Sequence, residues 1–565
     1  MTSITGGQAV VESLKAEGVD TMFGLIGSAG MEVFDALHDA APQLRFIGVR
    51  DERTGVHMAD GYARASGRAG VFLAGQNGPG ATNLVTGLAQ ASAANSPVVA
   101  LAGSLSSAHI YRDAFQEVDQ QALFRPVTKK TWTLTQAARI PEMMREAFRS
   151  ALTPRRGPVL LNLPRDLLAE ALTESAPWQP AGRQFDGEYT GTAAALDEAA
   201  RLLSNAQRPL ILAGGGVKNS RCHAEVLALA ERLDVPVAMS PGHGDALPCT
   251  QRLYAGQVGP RGNPVATDLM RRADLILALG TRLGFNTTFY SHEYLNPQAR
   301  IIQVEADPVA IGRFFPVSLG VAGTARETVR ALFERLAQHQ PNAEVRQWTA
   351  EFIAARAEML ARQDREAGDA GEPIQPGFLF KTLREVLPDD AMYTMDAGTL
   401  CLQATDQMRY LQPPALFTPL DFGLVGFSYA CGLGVKLAHP KRPVISLMGD
   451  GGFGMAHSEI GTAVEHGIAT VCIVMNNGCW GAEKAYQRDF FGRRFIGADV
   501  PNPPYDKLAK LWGAAGFRVD RAAILAETVA EAVACGRPAV VDVMVDPEAL
   551  YSFRRDSFKH RTAQG

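Results

Sequence analysis

The sequence predicts an α/β protein of three doubly wound parallel-sheet domains, on three observations. Short apolar runs alternate with amphipathic helical stretches over nearly the whole chain, two polar Pro/Gly seams divide it, and 565 residues exceed what one hydrophobic core holds. Strands of a parallel sheet are buried on both faces, so they read as continuous Val/Ile/Leu runs. In order, these runs are "AGVFLAG", "PVVALAG" and "GPVLLNLP"; then "PLILAGGG", "DLILALGTR" and "RIIQVEADP"; then "RPVISLMGDG", "ATVCIVMNN" and "PAVVDVMVD". The first seam runs from Glu174 to Gly191, and the second from Arg362 to Pro376, where a charged run gives way to Gly and Pro. The expected domains are therefore 1–180, 190–345 and 370–550, with a basic tail at 551–565.

Composition narrows the function classes. With 46% hydrophobic and 20% charged residues and a net charge of -4, nothing points to a nucleic-acid partner. The seven cysteines are scattered without a C-x-x-C pair, which speaks against a disulfide framework or a zinc site. The N-terminus lacks a basic segment followed by an apolar one, and no apolar run reaches about 18 residues. These features predict a cytoplasmic protein with no membrane partner.

The stretch "VISLMGDGGFGMAHSEI", Val444 to Ile460, satisfies the pattern G-x-G-x-x-G of dinucleotide sites. Such a site also needs an acidic residue at the end of the next strand to take the ribose hydroxyls. Here the next strand, "ATVCIVMNN", ends in Asn476-Asn477, and the turn itself carries Asp450. A hard cation explains this better. Mg²⁺ takes oxygen ligands in octahedral geometry and bridges carboxylates to phosphates. Asp450 and Asn477 leave consecutive parallel strands, so both can offer oxygen to one ion, while Gly449, Gly451 and Gly452 let the backbone approach a diphosphate.

"GDG" and "NN", with Asp450 and Asn477 separated by 27 positions, resemble the signature of thiamin-diphosphate enzymes. Over essentially its whole length the chain is similar to their acetolactate-synthase-like superfamily, whose domain order is pyrimidine-binding, central, diphosphate-binding. The resemblance implies thiamin diphosphate and Mg²⁺ as cofactors, with Asp450, Asn477 and the backbone carbonyl of Cys479 as metal ligands. It also implies cofactor-binding roles for Gly398 and Thr399 in "MDAGT", for Gly423 and Val425 in "DFGLVGFSYACG", and for Gly449, Gly451, Gly452 and Trp480. Val425 stands where the family places an apolar wedge that bends the cofactor. A homodimer at least, and a homotetramer by extension, follows from the resemblance.

Such enzymes need a buried carboxylate beside a ring nitrogen of the aminopyrimidine. Glu52 in "FIGVRDERTGVHMADGYARASGRAG" matches the acid position, with Asp51 its neighbouring competitor and a solvated loop glutamate the bland reading. "GQNGPGATN", with Asn77, resembles the family's loop beside that acid, and Gln116 in "AFQEVDQQALF" matches a residue that lies beside the reacting carbon in relatives.

Several segments, among them "GLIGSAGM", "HGDALPCTQRLYAGQVG", "WGAEK" and "FRRD", resemble the sulfoacetaldehyde acetyltransferase branch. That branch cleaves the C–S bond of sulfoacetaldehyde and passes an acetyl unit to phosphate, giving acetyl phosphate and sulfite. Both reactants are small anions, and Lys484, Arg554, Arg555 and Lys559 are the candidate cations. The bland readings are a solvent-facing helix for Lys484 and a solvated tail for the others. Glu483 is the candidate proton relay to a substrate oxygen. The tail and the linker near Gly368 are shorter than in that branch, which leaves room for a 2-hydroxyacyl-CoA lyase that releases formyl-CoA. An acetolactate synthase-like carboligase is the third reading; it would bring an FAD, which "LILAGGGVKNS" does not specifically call for. An inactive scaffold paralogue is the non-enzyme alternative, against which Glu52, Asp450 and Asn477 together argue.

Overall fold

In the computed structural model, residues 3–173, 187–368 and 370–562 are described. The expected first seam lies outside them as far as residue 186. Among the described residues no helix is long and apolar enough to cross a membrane.

Three six-stranded sheets, parallel throughout, form the framework. The first orders its strands Arg45–Gly48, Thr21–Leu25, Gly70–Ala74, Val98–Ser104, Val159–Pro164, Lys130–Thr133. The second runs Tyr254–Gln257, Val237–Met239, Pro209–Ala213, Leu275–Leu279, Arg300–Glu305, Leu319–Ala322. The third runs Leu416–Phe417, Met392–Met395, Val444–Gly449, Val471–Asn476, Ala539–Met544, Ala515–Val519. The central strands Val98–Ser104, Leu275–Leu279 and Val471–Asn476 are buried almost throughout, as the continuous apolar runs require.

The chain divides into two compact units. One comprises residues 1–187 with 429–441 and 456–469; the other comprises 188–428, 442–455 and 470–565. The first sheet is the core of the first unit, and the other two sheets belong to the second. Two segments near the glycine motif, one of them covering nearly all of the helix Ser428–Ala438, thus group with the N-terminal sheet. The reason is packing: a Cβ on Gly434 would collide with the backbone of Met58, and one on Gly61 with Cys431.

Strand order decides where ligands can bind. In an open parallel sheet the crevice lies beyond the carboxyl ends of the two neighbouring strands from which the chain departs in opposite directions. In the third sheet these are Met392–Met395 and Val444–Gly449, followed directly by Asp396 and Asp450. In the first sheet they are Thr21–Leu25 and Gly70–Ala74, followed by Ile26 and by the loop Gly75 to Asn83.

Candidate active site

In the first unit, the short sequence "RDE" separates two carboxylates by role. Asp51 is the N-cap of the helix Glu52–Ser66, accepting from Arg53 N at 2.8 Å and Thr54 N at 3.4 Å. Glu52, the first helical residue, is only 6% exposed, and its Oε2 accepts from Asn83 Nδ2 at 2.9 Å. The helix start is held by a second carboxylate with no signature in the sequence. Glu459 is wholly buried and accepts from Arg50 N at 3.1 Å, Thr54 Oγ1 at 2.5 Å and Thr462 Oγ1 at 2.6 Å. Burial outweighs these donors and raises its pKa above the ordinary carboxylate value.

The loop carrying Asn77 is pressed onto the segment carrying Gln116. Asn77 Nδ2 donates to the Gln116 carbonyl at 3.1 Å, and Gly78 N donates to Gln120 Oε1 at 3.3 Å. Gln120 is anchored in turn on Asn162 at 2.7 Å. Gly78 has φ +55°, and a Cβ there would meet the Gln116 carbonyl at 2.5 Å, so only glycine fits. Glu52, Asn77 and Gln116 thus sit on one carboxyl-edge framework, with a Cβ built on Gly80 only 3.1 Å from Glu52 Oε1.

In the second unit, the candidate metal ligands converge. One side-chain amide atom of Asn477 lies 3.1 Å from Asp450 Oδ1 and 3.1 Å from the Cys479 carbonyl. As placed, that atom is the amide oxygen, so three oxygens face one another. This is unfavourable unless a cation sits among them; turned about, the amide would instead donate to both. One carboxylate, one amide oxygen and one carbonyl form the all-oxygen set a hard cation uses, and a spacing near 3 Å matches adjacent ligands around Mg²⁺. Among the described residues no group of three or more His, Cys, Asp or Glu is placed to hold a metal ion. The Asn476 amide is engaged at both ends, its Nδ2 donating to buried Asp542 at 2.9 Å and its Oδ1 accepting from Gly478 N at 3.2 Å.

Asp450 is 1% exposed, and burial pushes its carboxyl up to about 6; a bound cation would bring it down again. Its Oδ2 accepts from Asn502 at 2.6 Å, and Tyr505 Oη lies 3.0 Å from its carbonyl. The buried hydroxyl of Thr399 has no hydrogen-bond partner among the described residues, and so offers a donor to a phosphate oxygen. A Cβ on Gly398, Gly423, Gly449 or Gly478 would meet nothing within 4 Å, so open space lies along both strand ends. The residues present therefore fit a magnesium diphosphate.

The other glycines of the motif serve packing. The Trp480 ring lies 2.7 Å from where a Cβ on Gly451 would stand, and Asp396 Oδ2 occupies the place of one on Gly452, with Val425 Cγ1 3.3 Å from it. Asp396 follows the strand Met392–Met395, is 1% exposed, and accepts from the amides of Gly426 and Phe427 at 2.9 and 2.8 Å. Burial nonetheless raises its carboxyl to about 6. Asp396, Asn502, Tyr505 and Glu459 are the residues that the sequence reading did not single out. Only Asp396 carried a signal, its place immediately after an apolar run in "YTMDAGT".

The substrate candidates fare unequally. Glu483 is exposed as a whole residue, yet partial burial of its carboxyl raises its pKa. Lys484 is engaged by Asp499 at 2.8 Å, a hydrogen bond that raises its pKa, so its charge is already matched. Arg554 pairs with Asp556 at 3.2 Å and faces the Phe285 ring at 5.0 Å. The side chains of Arg555 and Lys559 lie outside the described residues.

Three family models match the chain: thiamine pyrophosphate enzyme N-terminal TPP binding domain over 4–123, central domain over 196–332, and C-terminal TPP binding domain over 396–543. Sulfoacetaldehyde acetyltransferase of Castellaniella defragrans is 35% identical over 98% of this chain and 95% of its own length. The enzyme of the same name from Alcaligenes xylosoxydans xylosoxydans is 34% identical over 98% of this chain and 95% of its own. The large subunit of acetolactate synthase isozyme 3 from Escherichia coli (strain K12) is 32% identical, covering 97% of this chain and 96% of itself.

Proposed function

The chain belongs to the thiamine pyrophosphate-dependent enzymes, and from that premise we propose that it is a magnesium-dependent acetyltransferase acting on sulfoacetaldehyde. It would cleave the C–S bond and pass the two-carbon unit to phosphate, releasing sulfite and acetyl phosphate. The observation that carries the cofactor chemistry is the meeting of Asp450, Asn477 and the Cys479 carbonyl beside the open glycine-lined strand ends. The end-to-end likeness to two sulfoacetaldehyde acetyltransferases supports the substrate.

When bound, thiamin diphosphate supplies a carbon nucleophile that holds the two-carbon unit between donor and acceptor. Asp450, Asn477 and the Cys479 carbonyl would hold the metal, and the Thr399 hydroxyl would be a donor for the diphosphate. Glu52, kept in place by Asn83, presents a buried carboxyl that would serve as the proton-exchanging group for the cofactor's aminopyrimidine. Asn77 and Gln116, held together by the Asn77 hydrogen bond to the Gln116 carbonyl, are the residues that the family resemblance would set near the reacting carbon. Glu483 holds a proton for a substrate oxygen, and its raised pKa suits that role. The reading carries with it a homodimer or homotetramer in the cytoplasm.

A second reading, an acetolactate synthase-like carboligase, is favoured by the 32% identity to the Escherichia coli subunit, nearly as high as that to the acetyltransferases. One panel separates the two. Purified protein with thiamin diphosphate and Mg²⁺ is given sulfoacetaldehyde plus phosphate and scored for sulfite and acetyl phosphate, beside pyruvate scored for acetolactate. Sulfite with acetyl phosphate is expected; acetolactate alone would replace the first reading with the second.

A further inference from the structure

The second unit holds a cationic, aromatic-walled cluster in which the guanidinium of Arg261 pairs with no carboxylate among the described residues. Arg261 lies in the loop after the strand Tyr254–Gln257. Its guanidinium carbon stands 4.5 Å from the Phe553 ring centre and 5.7 Å from that of Phe289. Nη1 donates to Asn286 Oδ1 at 3.3 Å, but Nε is buried and has no hydrogen-bond partner among the described residues. Asp556, whose charge reaches Arg261, is already paired with Arg554. Burial, aided by the positive charge of Arg554, pulls the Arg261 guanidinium down to about 10.

Tyr486 completes the group. Its hydroxyl is buried; the backbone N–H of Arg554 approaches the phenolic oxygen, while the phenolic proton meets no acceptor among the described residues. Its ring meets Phe553 at 5.7 Å and Phe558 at 5.2 Å, and the charges of Arg261, Arg554 and Glu483 all act on it. It follows Glu483 by one turn of the helix Gly481–Phe490, which begins just after the metal-ligand segment. The tail that supplies Phe553 and Arg554 is tied to the same helix, by Ser552 Oγ to Asp489 at 2.6 Å and Arg488 to the Leu550 carbonyl at 3.0 Å. Arg261 and Asn286 also line a small cavity with Gln257, Leu402, Thr405 and Leu420.

A desolvated cation without a carboxylate is costly, and the cost is relieved when a ligand brings the negative charge. A guanidinium presents a planar fork of N–H groups matched to tetrahedral oxyanions, and a phenol adds a further donor. We propose that Arg261, Arg554 and Tyr486 form an oxyanion site that receives the tetrahedral anionic group of a reactant, the sulfonate of the donor or the acceptor phosphate. The position of this site in the reaction rests on the acetyltransferase reading; its preference for oxyanions rests on the cluster itself.

The test is calorimetric titration of the protein loaded with thiamin diphosphate and Mg²⁺, using inorganic phosphate in one arm and unreactive ethanesulfonate in the other. Loss of a charge-assisted pair predicts affinity weakened about tenfold or more in Arg261→Gln, with part regained in Arg261→Lys. Arg554→Gln, a partly exposed tail position, gives a second variant if Arg261→Gln fails to fold. An effect confined to the phosphate arm assigns the site to the acceptor, and one confined to ethanesulfonate assigns it to the donor. Wild-type protein that binds neither anion, or variants that bind both as wild type does, would overturn the site. Wild-type protein that binds these anions through Arg261 but makes no acetyl phosphate would overturn the reaction while leaving the site standing.

Discussion

Replacing Glu52 by Gln separates its chemical role from its structural one, because the two effects differ widely in size. The side chain is 6% exposed and makes one hydrogen bond, accepted from Asn83 at 2.9 Å. Gln keeps the shape and an accepting oxygen, so a charge-assisted bond becomes a neutral one. That change is worth about 1 kcal/mol, and relief of the buried charge offsets part of it. Loss of proton exchange at the cofactor ring, by contrast, removes a hundredfold to ten-thousandfold in rate, about 3 to 5 kcal/mol of barrier. The expected outcome is a thermal midpoint close to wild type, thiamin-diphosphate affinity retained in a tryptophan-quenching titration, and product formation lowered by at least two orders of magnitude. Turnover within about threefold of wild type would refute Glu52 as the activating acid. A collapse of stability matching the loss of rate would show that its role is structural.

Other perturbations test the second unit. Asp450→Ala removes one of three converging oxygens and should abolish the rise in thermal midpoint that thiamin diphosphate with Mg²⁺ gives the wild type; an unchanged rise would place the metal elsewhere. Gly452→Ala drives a methyl group onto Asp396 and toward Val425, displacing a carboxylate held by the amides of Gly426 and Phe427. Breaking two such bonds costs about 3 to 5 kcal/mol, readable as a lowered denaturation midpoint, and a wild-type midpoint would contradict the packing. Burial raises the Asp406 carboxyl to about 6, above the ordinary value near 4, so the folded state binds this proton more tightly than the unfolded chain does. Its contribution is fully present below about pH 4 and is lost as pH rises through 6. Asp406→Asn should therefore gain stability over wild type at pH 7.5 and lose that advantage near pH 4 in denaturant titrations; a pH-independent difference would argue against the shift.

How much was legible in the sequence follows from the range of each signal. Burial on both faces writes a parallel strand as an unbroken apolar run, so the strands around Val71, Ile276 and Ile473 could be read without a structure. Turn chemistry is equally local, which is why "GDG" and "NN" at the ends of two such runs already pointed to a metal-held diphosphate. The sequence named Asn477 through the family resemblance; what holds its neighbour Asn476 away was not local. Asn476 is drawn to Asp542, 66 positions on, and that leaves Asn477 facing Asp450. The same holds for "RDE": only the placement of the helix start assigns Asp51 to the cap and Glu52 to the buried side against Asn83.

The sequence by itself determined three α/β domains, the cofactor class and the residues that end the decisive strands, because periodicity and turn residues act within a few positions of where they are written. Tertiary structure alone decided the strand order, and so brought Asp396 beside Gly452 at the crevice of the third sheet. It also set Arg261 against Phe553, 292 positions away, leaving a guanidinium that no carboxylate among the described residues pairs, which no local pattern records. Contacts of that kind depend on which surfaces the packed sheets and helices bring together, and residue spacing carries no trace of them.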